Sequence, residues 1–148
     1  MRENKYICES IDNLIQVNFE RMAAFDKASK TVEDEGLKKY FESKADESEH
    51  NIEELKLIRS AADIPQRTLS QTTLLPASNT FAEAVYHNRI NIIIDAVKCL
   101  EIHMMEWYQK IGDGLSNLPG EFKNLLEQQL LLLKTGHLHF RMLTSTLK

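Results

Sequence analysis

The sequence predicts an all-α protein, an antiparallel four-helix bundle with a long connection between its second and third helices. Apolar residues recur at the 3.6-residue helical period in four separate segments. Only five Gly and three Pro occur in 148 residues, so the turn residues that a β-rich chain needs are scarce. With 43% hydrophobic and 27% charged residues, one domain over 1–148 has enough apolar matter to close a single core.

The first segment, about 4–32, places Ile7, Ile11, Leu14, Asn18, Met22, Phe25 and Val32 on one helical face and stops at Glu33-Asp34-Glu35-Gly36. Asp34 is a candidate cap for the second, about 35–60, whose stripe is Leu37, Phe41, Ala45, Ser48, Ile52 and Leu55. From 61 to 79 the period lapses around Pro65 and Pro76. About 19 extended residues reach up to about 60 Å, whereas a helix of about 25 residues is about 37 Å long. This connection can therefore run back along the whole bundle, which makes the helices it joins parallel.

The third segment, about 80–111, opens on Thr80-Phe-Ala-Glu83, a capping box, and carries Tyr86, Ile90, Ile93, Val97, Leu100, Met104, Tyr108 and Ile111 as one stripe ending at Gly112-Asp113-Gly114. The isoleucine-rich run at 90–94 has strand character, but its flanks are helical. The fourth, about 119–147, has Pro119 at the first helical position and Phe122, Leu126, Leu133, His137, Phe140 and Leu147 facing the core.

The charge balance excludes some partners. Net charge is −4 and no Lys/Arg stripe forms, so nucleic acid and anionic membranes are not expected ligands. No window approaches the roughly 18 apolar residues of a membrane span, and the expectation is a soluble, cytoplasmic protein. Cys8 and Cys99 lie in separate helical segments without a CxxC spacing and are expected to be reduced, structural thiols. No Ser-His-Asp arrangement, Gly-rich phosphate loop or Cys/His zinc spacing is present, which leans away from an enzyme.

Leu14-Ile-Gln-Val-Asn-Phe-Glu-Arg-Met-Ala-Ala-Phe-Asp-Lys-Ala28, with Leu37-Lys38, Phe41, Ala45 and Ser48, resembles the first hairpin of an uncharacterised bacterial family of ferritin-like four-helix-bundle proteins. Glu101 seven residues before Tyr108, and Gln129-Leu130 followed by His137, resemble its second hairpin. The resemblance covers both hairpins, outside about 61–98. It implies a ferritin-like fold without implying an activity.

Ferritin-like carboxylate enzymes hold iron or manganese with a Glu on each of two helices and a Glu-x-x-His on each of the other two. Glu20, Glu47, His50, Glu101 and His137 are the corresponding candidates. Lys134 stands where the last carboxylate should be. At about 100° per residue, Glu20 points about 150° and His50 about 145° away from their apolar stripes, toward solvent, with Glu47 at the boundary. A different polar set points inward: Asn18, Arg21, Ser48, Asn51, Glu101, Gln129 and His137. Counting from the hairpin turns sets Asn18 opposite Asn51, Arg21 opposite Ser48, and Glu101 opposite about residue 130. Glu101 is then the one acid of the layer, and Arg21 is its natural partner, supported by Asn18, Asn51 and Gln129.

The expected function is a non-catalytic bundle working through protein association or a stress-related role, with this polar layer in place of a metal centre and no cofactor. The alternatives are a metalloprotein that oxidises iron or handles peroxide, and a small-molecule-binding bundle with Arg21 and Glu101 lining a cavity. A homodimer through the third and fourth helices is expected. Their outer sides carry Ile92, Cys99 and Ile102 and Leu131, Leu138 and Met142. The competing cover for that surface is the 61–79 connection, with Leu69, Leu74 and Leu75.

Overall fold

A computed structural model of the chain describes residues 2–62, 64–65, 72–114 and 118–145. Among the described residues there are five helices and no strand: α1 (Arg2–Thr31), α2 (Glu35–Ser60), α3 (Ala77–His87), α4 (Ile90–Gly114) and α5 (Gly120–Thr144). None is long and apolar enough to cross a membrane.

The first hairpin follows the apolar pattern closely. Asp34 caps α2 by accepting from the Leu37 backbone N–H at 2.8 Å, which satisfies one of the free donors of the first turn. Asp12 meets Arg59, Asn18 meets Asn51 and Arg21 meets Ser48, so α1 and α2 run antiparallel. Contacts of Asn18 with Tyr108 and of Arg21 with Glu101 set α4 antiparallel to α1. Tyr40 packs on Phe140 and Asn51 meets Gln129, which sets α5 antiparallel to α2. Hence α2 and α4 run the same way, and the chain between them must return along the full length of the helices.

The expected third helix is two helices. Asn88 sits in the left-handed region at φ 52°, ψ 39° and closes α3, and α4 starts afresh at Ile90. Asn tolerates this region because its short polar side chain bonds locally. The break resets the helical phase: Tyr86, expected in the core stripe, is 82% exposed, while Phe81, Ala84 and Val85 are buried. The Thr80–Glu83 capping box is not used either. α3 begins at Ala77 after Pro76, with no side-chain cap, and Thr80 and Glu83 are exposed. Phe81 instead reaches between Phe25 and Phe41, at centroid distances of 5.2 and 5.4 Å, and anchors α3 to the core.

Two smaller corrections fall on the second hairpin. α4 runs through the glycines to Gly114, and Pro119 is the residue before α5 rather than its first. The turn therefore lies later than counted, and Tyr108, not Glu101, comes level with Gln129. Leu69 and Leu147 lie outside the described residues.

Candidate functional site

Polar residues on the inner faces of α1, α2, α4 and α5 form two adjoining layers between the long helices. The first is ionic. Arg21 Nε donates to Glu101 Oε2 at 2.8 Å and Arg21 Nη2 to Glu101 Oε1 at 2.6 Å, a two-pronged contact in which both partners are buried. Arg21 Nη1 donates to Ser48 Oγ at 2.8 Å and to the Lys44 carbonyl at 3.4 Å. Arg21 Nη2 also lies 3.1 Å from Glu47 Oε1, and Glu47 Oε2 accepts from Lys44 Nζ at 3.0 Å. Lys44, Glu47, Arg21 and Glu101 thus make a chain of two cations and two carboxylates with no net charge. Burial alone would lower the Arg21 pKa, but the adjacent Glu101 outweighs it and raises the value above its ordinary range.

The second layer, about one turn along, is neutral. Asn18 Nδ2 donates to the Leu14 carbonyl and to Tyr108 Oη, and Asn18 Oδ1 accepts from Asn51 Nδ2 at 3.2 Å. Tyr108 donates to Gln129 Oε1 at 2.6 Å, and Gln129 Nε2 donates to the Asn51 carbonyl at 3.3 Å. Burial holds the Tyr108 hydroxyl well above its usual pKa, partly offset by its hydrogen bond from Asn18. Burial, with Glu101 nearby, does the same for Tyr40. Both phenols stay protonated donors.

Of the expected polar set, Asn18, Arg21, Ser48, Asn51, Glu101 and Gln129 are all buried and come together. His137 does not join them: it is half-buried, and its Nδ1 has no partner among the described residues. The supports of the ion pair also differ from expectation. They are Ser48, Glu47 and the Lys44 carbonyl, whereas the amides form their own network with Tyr108. Glu101 is not the one acid of the layer either, because Glu47, read as a boundary residue, turns in to 14% exposure.

Lys44 and Tyr108 join the expected polar set, and both carry a signal in the sequence. Phe41, Lys44, Ser48, Asn51 and Leu55 have the alternating three-and-four spacing of an inward seam. Tyr108 lay in the α4 stripe, where a buried hydroxyl needs a partner. Gly136 lets Lys44 in, since a Cβ there would run into the ammonium group.

The other metal-ligand candidates lie elsewhere. His50 is exposed, 3.6 Å from Glu54. Glu20, expected in solvent, is half-buried under the long connection. Its carboxylate accepts from the backbone N–H groups of Leu74 and Leu75 at 3.1 and 3.0 Å and from Gln16 Nε2 at 3.2 Å. Trp107 Nε1 donates to the Leu74 carbonyl at 3.1 Å, so this end of the connection is strapped across α1 and α4. Its other end is held by Arg59, which is paired with Asp12 and donates to the Ile64 and Pro65 carbonyls. Among the described residues, no three of His, Cys, Asp and Glu gather as a metal ion would require. No protein-family model, curated protein or solved structure matches the chain.

Proposed function

We propose that this chain is a ferritin-like four-helix bundle of the non-catalytic kind, related to the bacterial family that its hairpins resemble. In it, a compensated ion-pair layer stands where ferritin-like enzymes carry a metal centre. The observation that carries the reading is the Arg21 guanidinium set against both Glu101 and Glu47, with Lys44 closing the chain. Iron or manganese needs carboxylates with open lone pairs. Here a fixed cation already occupies the space between the two inward carboxylates, and the remaining candidate ligands point elsewhere. The parallel run of α2 and α4, which a long crossover must join, supports the ferritin-like topology.

The role that follows is association rather than catalysis, with a second copy as the partner. Ile92, Ile102, Leu131, Leu138 and Met142 are 44 to 66% exposed on α4 and α5, while the described ends of the connection are held by Arg59 of α2 at Ile64 and Pro65 and by Glu20 of α1 and Trp107 of α4 at Leu74 and Leu75. An apolar surface of that kind is normally covered by a partner. Both cysteines are free, which fits a reducing, cytoplasmic setting.

Elemental analysis of protein purified without chelator, followed by aerobic addition of ferrous iron, tests the reading. The expected result is no stoichiometric iron or manganese and no faster iron oxidation than in buffer. About two metal ions per chain, lost on Glu101→Ala, would overturn it.

A further inference from the structure

On the exposed side of α4, Cys99 and His103 stand one helical turn apart. Cys99 Sγ lies 3.5 Å from His103 Nδ1. Tetrahedral zinc binds sulfur at about 2.3 Å and imidazole nitrogen at about 2.0–2.1 Å, which sets two such ligands about 3.5 Å apart. The pair has the separation of two ligands on one ion, and His103 needs only to turn off the Cys99 carbonyl, which its Nδ1 contacts at 2.7 Å, to face a metal beside Cys99. Zinc of this kind takes four ligands, yet among the described residues no group of three His, Cys, Asp or Glu that could hold a metal includes this pair. Ile92 and Ile102 flank it on the same helix, both nearly half exposed. A two-fold axis passing beside the pair would bring up the same two residues from a second copy.

We infer that Cys99 and His103 are half of an intersubunit zinc site, completed as Cys2His2 by the same residues of a second copy of this chain. The inference rests on the association reading above and names what locks that association. On binding, each Cys99 thiol releases its proton to solvent and becomes the thiolate ligand. His103 Nδ1, which donates to the Cys99 carbonyl at 2.7 Å, gives up that contact and its proton to solvent while Nε2 takes one up, so the neutral ring binds the metal through Nδ1 and no electrons move. Two thiolates neutralise the zinc charge, so the completed centre can be desolvated against an apolar contact at low cost.

The test uses the full chain in a non-chelating reductant, which removes any Cys99 disulfide, with zinc or cobalt(II) added. The expected results are one ion per two chains, tetrahedral cobalt bands with thiolate-to-cobalt charge transfer, and dimerisation tightened at least about tenfold by zinc in light scattering. Cys99→Ser and His103→Gln should each abolish all three. Both side chains are exposed, so helical circular dichroism and melting serve as controls on folding. Metal taken up at one ion per chain without a change in mass overturns the site, as does uptake that survives both variants or a cobalt spectrum without the thiolate band. A dimer equally tight with and without zinc overturns the zinc site and leaves the association reading standing. A single-chain mass at every protein and zinc concentration overturns both.

Discussion

Glu101 and Glu20 are both acids that a metal-centre reading of the chain would claim, and the fold uses them in opposite ways. Glu101 lies among four long helices, and a buried guanidinium meets it from α1. Glu20 lies on the back of α1, where two backbone N–H groups of the connection meet it. The difference follows from what stands opposite. Helix interiors spend their own N–H groups on i→i−4 bonds, so a carboxylate facing them must find a side-chain cation. A non-helical segment has backbone donors to offer. The interior layer is therefore a set of mutually dependent charges, and the seam is a strap that one carboxylate holds down.

The largest expected effect is in the interior. Arg21→Met leaves Glu47 and Glu101 facing each other with Lys44 as the remaining cation, and should cost about 3–5 kcal/mol in urea unfolding. Glu101→Gln should cost less, because Glu47 still balances Arg21. Equal losses from the two would show that Glu47 takes no part.

Next comes the strap. Glu20→Ala removes the acceptor of two backbone donors, with an expected loss of about 1.5–3 kcal/mol. Hydrogen exchange should accelerate at the Leu74 and Leu75 amides and stay unchanged in the middle of α2. If the α2 amides speed up equally, the strap is part of the global unit rather than a separable cover.

The two regions also differ in their response to alkali. Burial raises the pKa values of Tyr40 and Tyr108 above the unfolded value of about 10. Above pH about 10 the unfolded chain loses those protons while the native chain keeps them, so stability should fall by about 1.4 kcal/mol per pH unit for each tyrosine. Tyr108→Phe should remove one such share from the slope of unfolding free energy against pH. Glu20→Ala should leave that slope alone.

The smallest effect is at the break between α3 and α4. Asn88→Ala places a residue without a helpful side chain at φ 52° and should cost about 1 kcal/mol, whereas Asn88→Gly should be near neutral in thermal melting. Equal losses would mean that the Asn88 side chain, and not its backbone conformation, makes the break.

The same contrast accounts for what could be read from the sequence. Helical period fixes direction relative to a core, and it placed Asn18, Arg21, Ser48, Asn51 and Glu101 inward because long helices bury one face. Lys44 and Tyr108 obeyed that rule too, but a lysine reads as surface and a tyrosine as apolar. Period carries no information about what a non-helical segment will cover, so the burial of Glu20 beneath the connection was not legible. Nor was the break at Asn88, since the apolar spacing of Ile90, Ile93 and Val97 runs on smoothly from Tyr86. One left-handed residue shifts the phase of all that precedes it. The extension of α4 through Gly112 to Gly114 has the same character: a glycine stops a helix by taking up positive φ, and neither of these does.

The central claim, that Arg21 and Glu101 form a coupled core pair where a metal-centre reading would set ligands, is tested most directly by a double-mutant cycle between them. Arg21→Met, Glu101→Leu and the double variant should each be unfolded in urea and compared with the parent chain. The expected result is a coupling of at least about 2 kcal/mol, with the double variant folded and more stable than either single one, since Lys44 and Glu47 still neutralise each other. Additive losses would contradict the account.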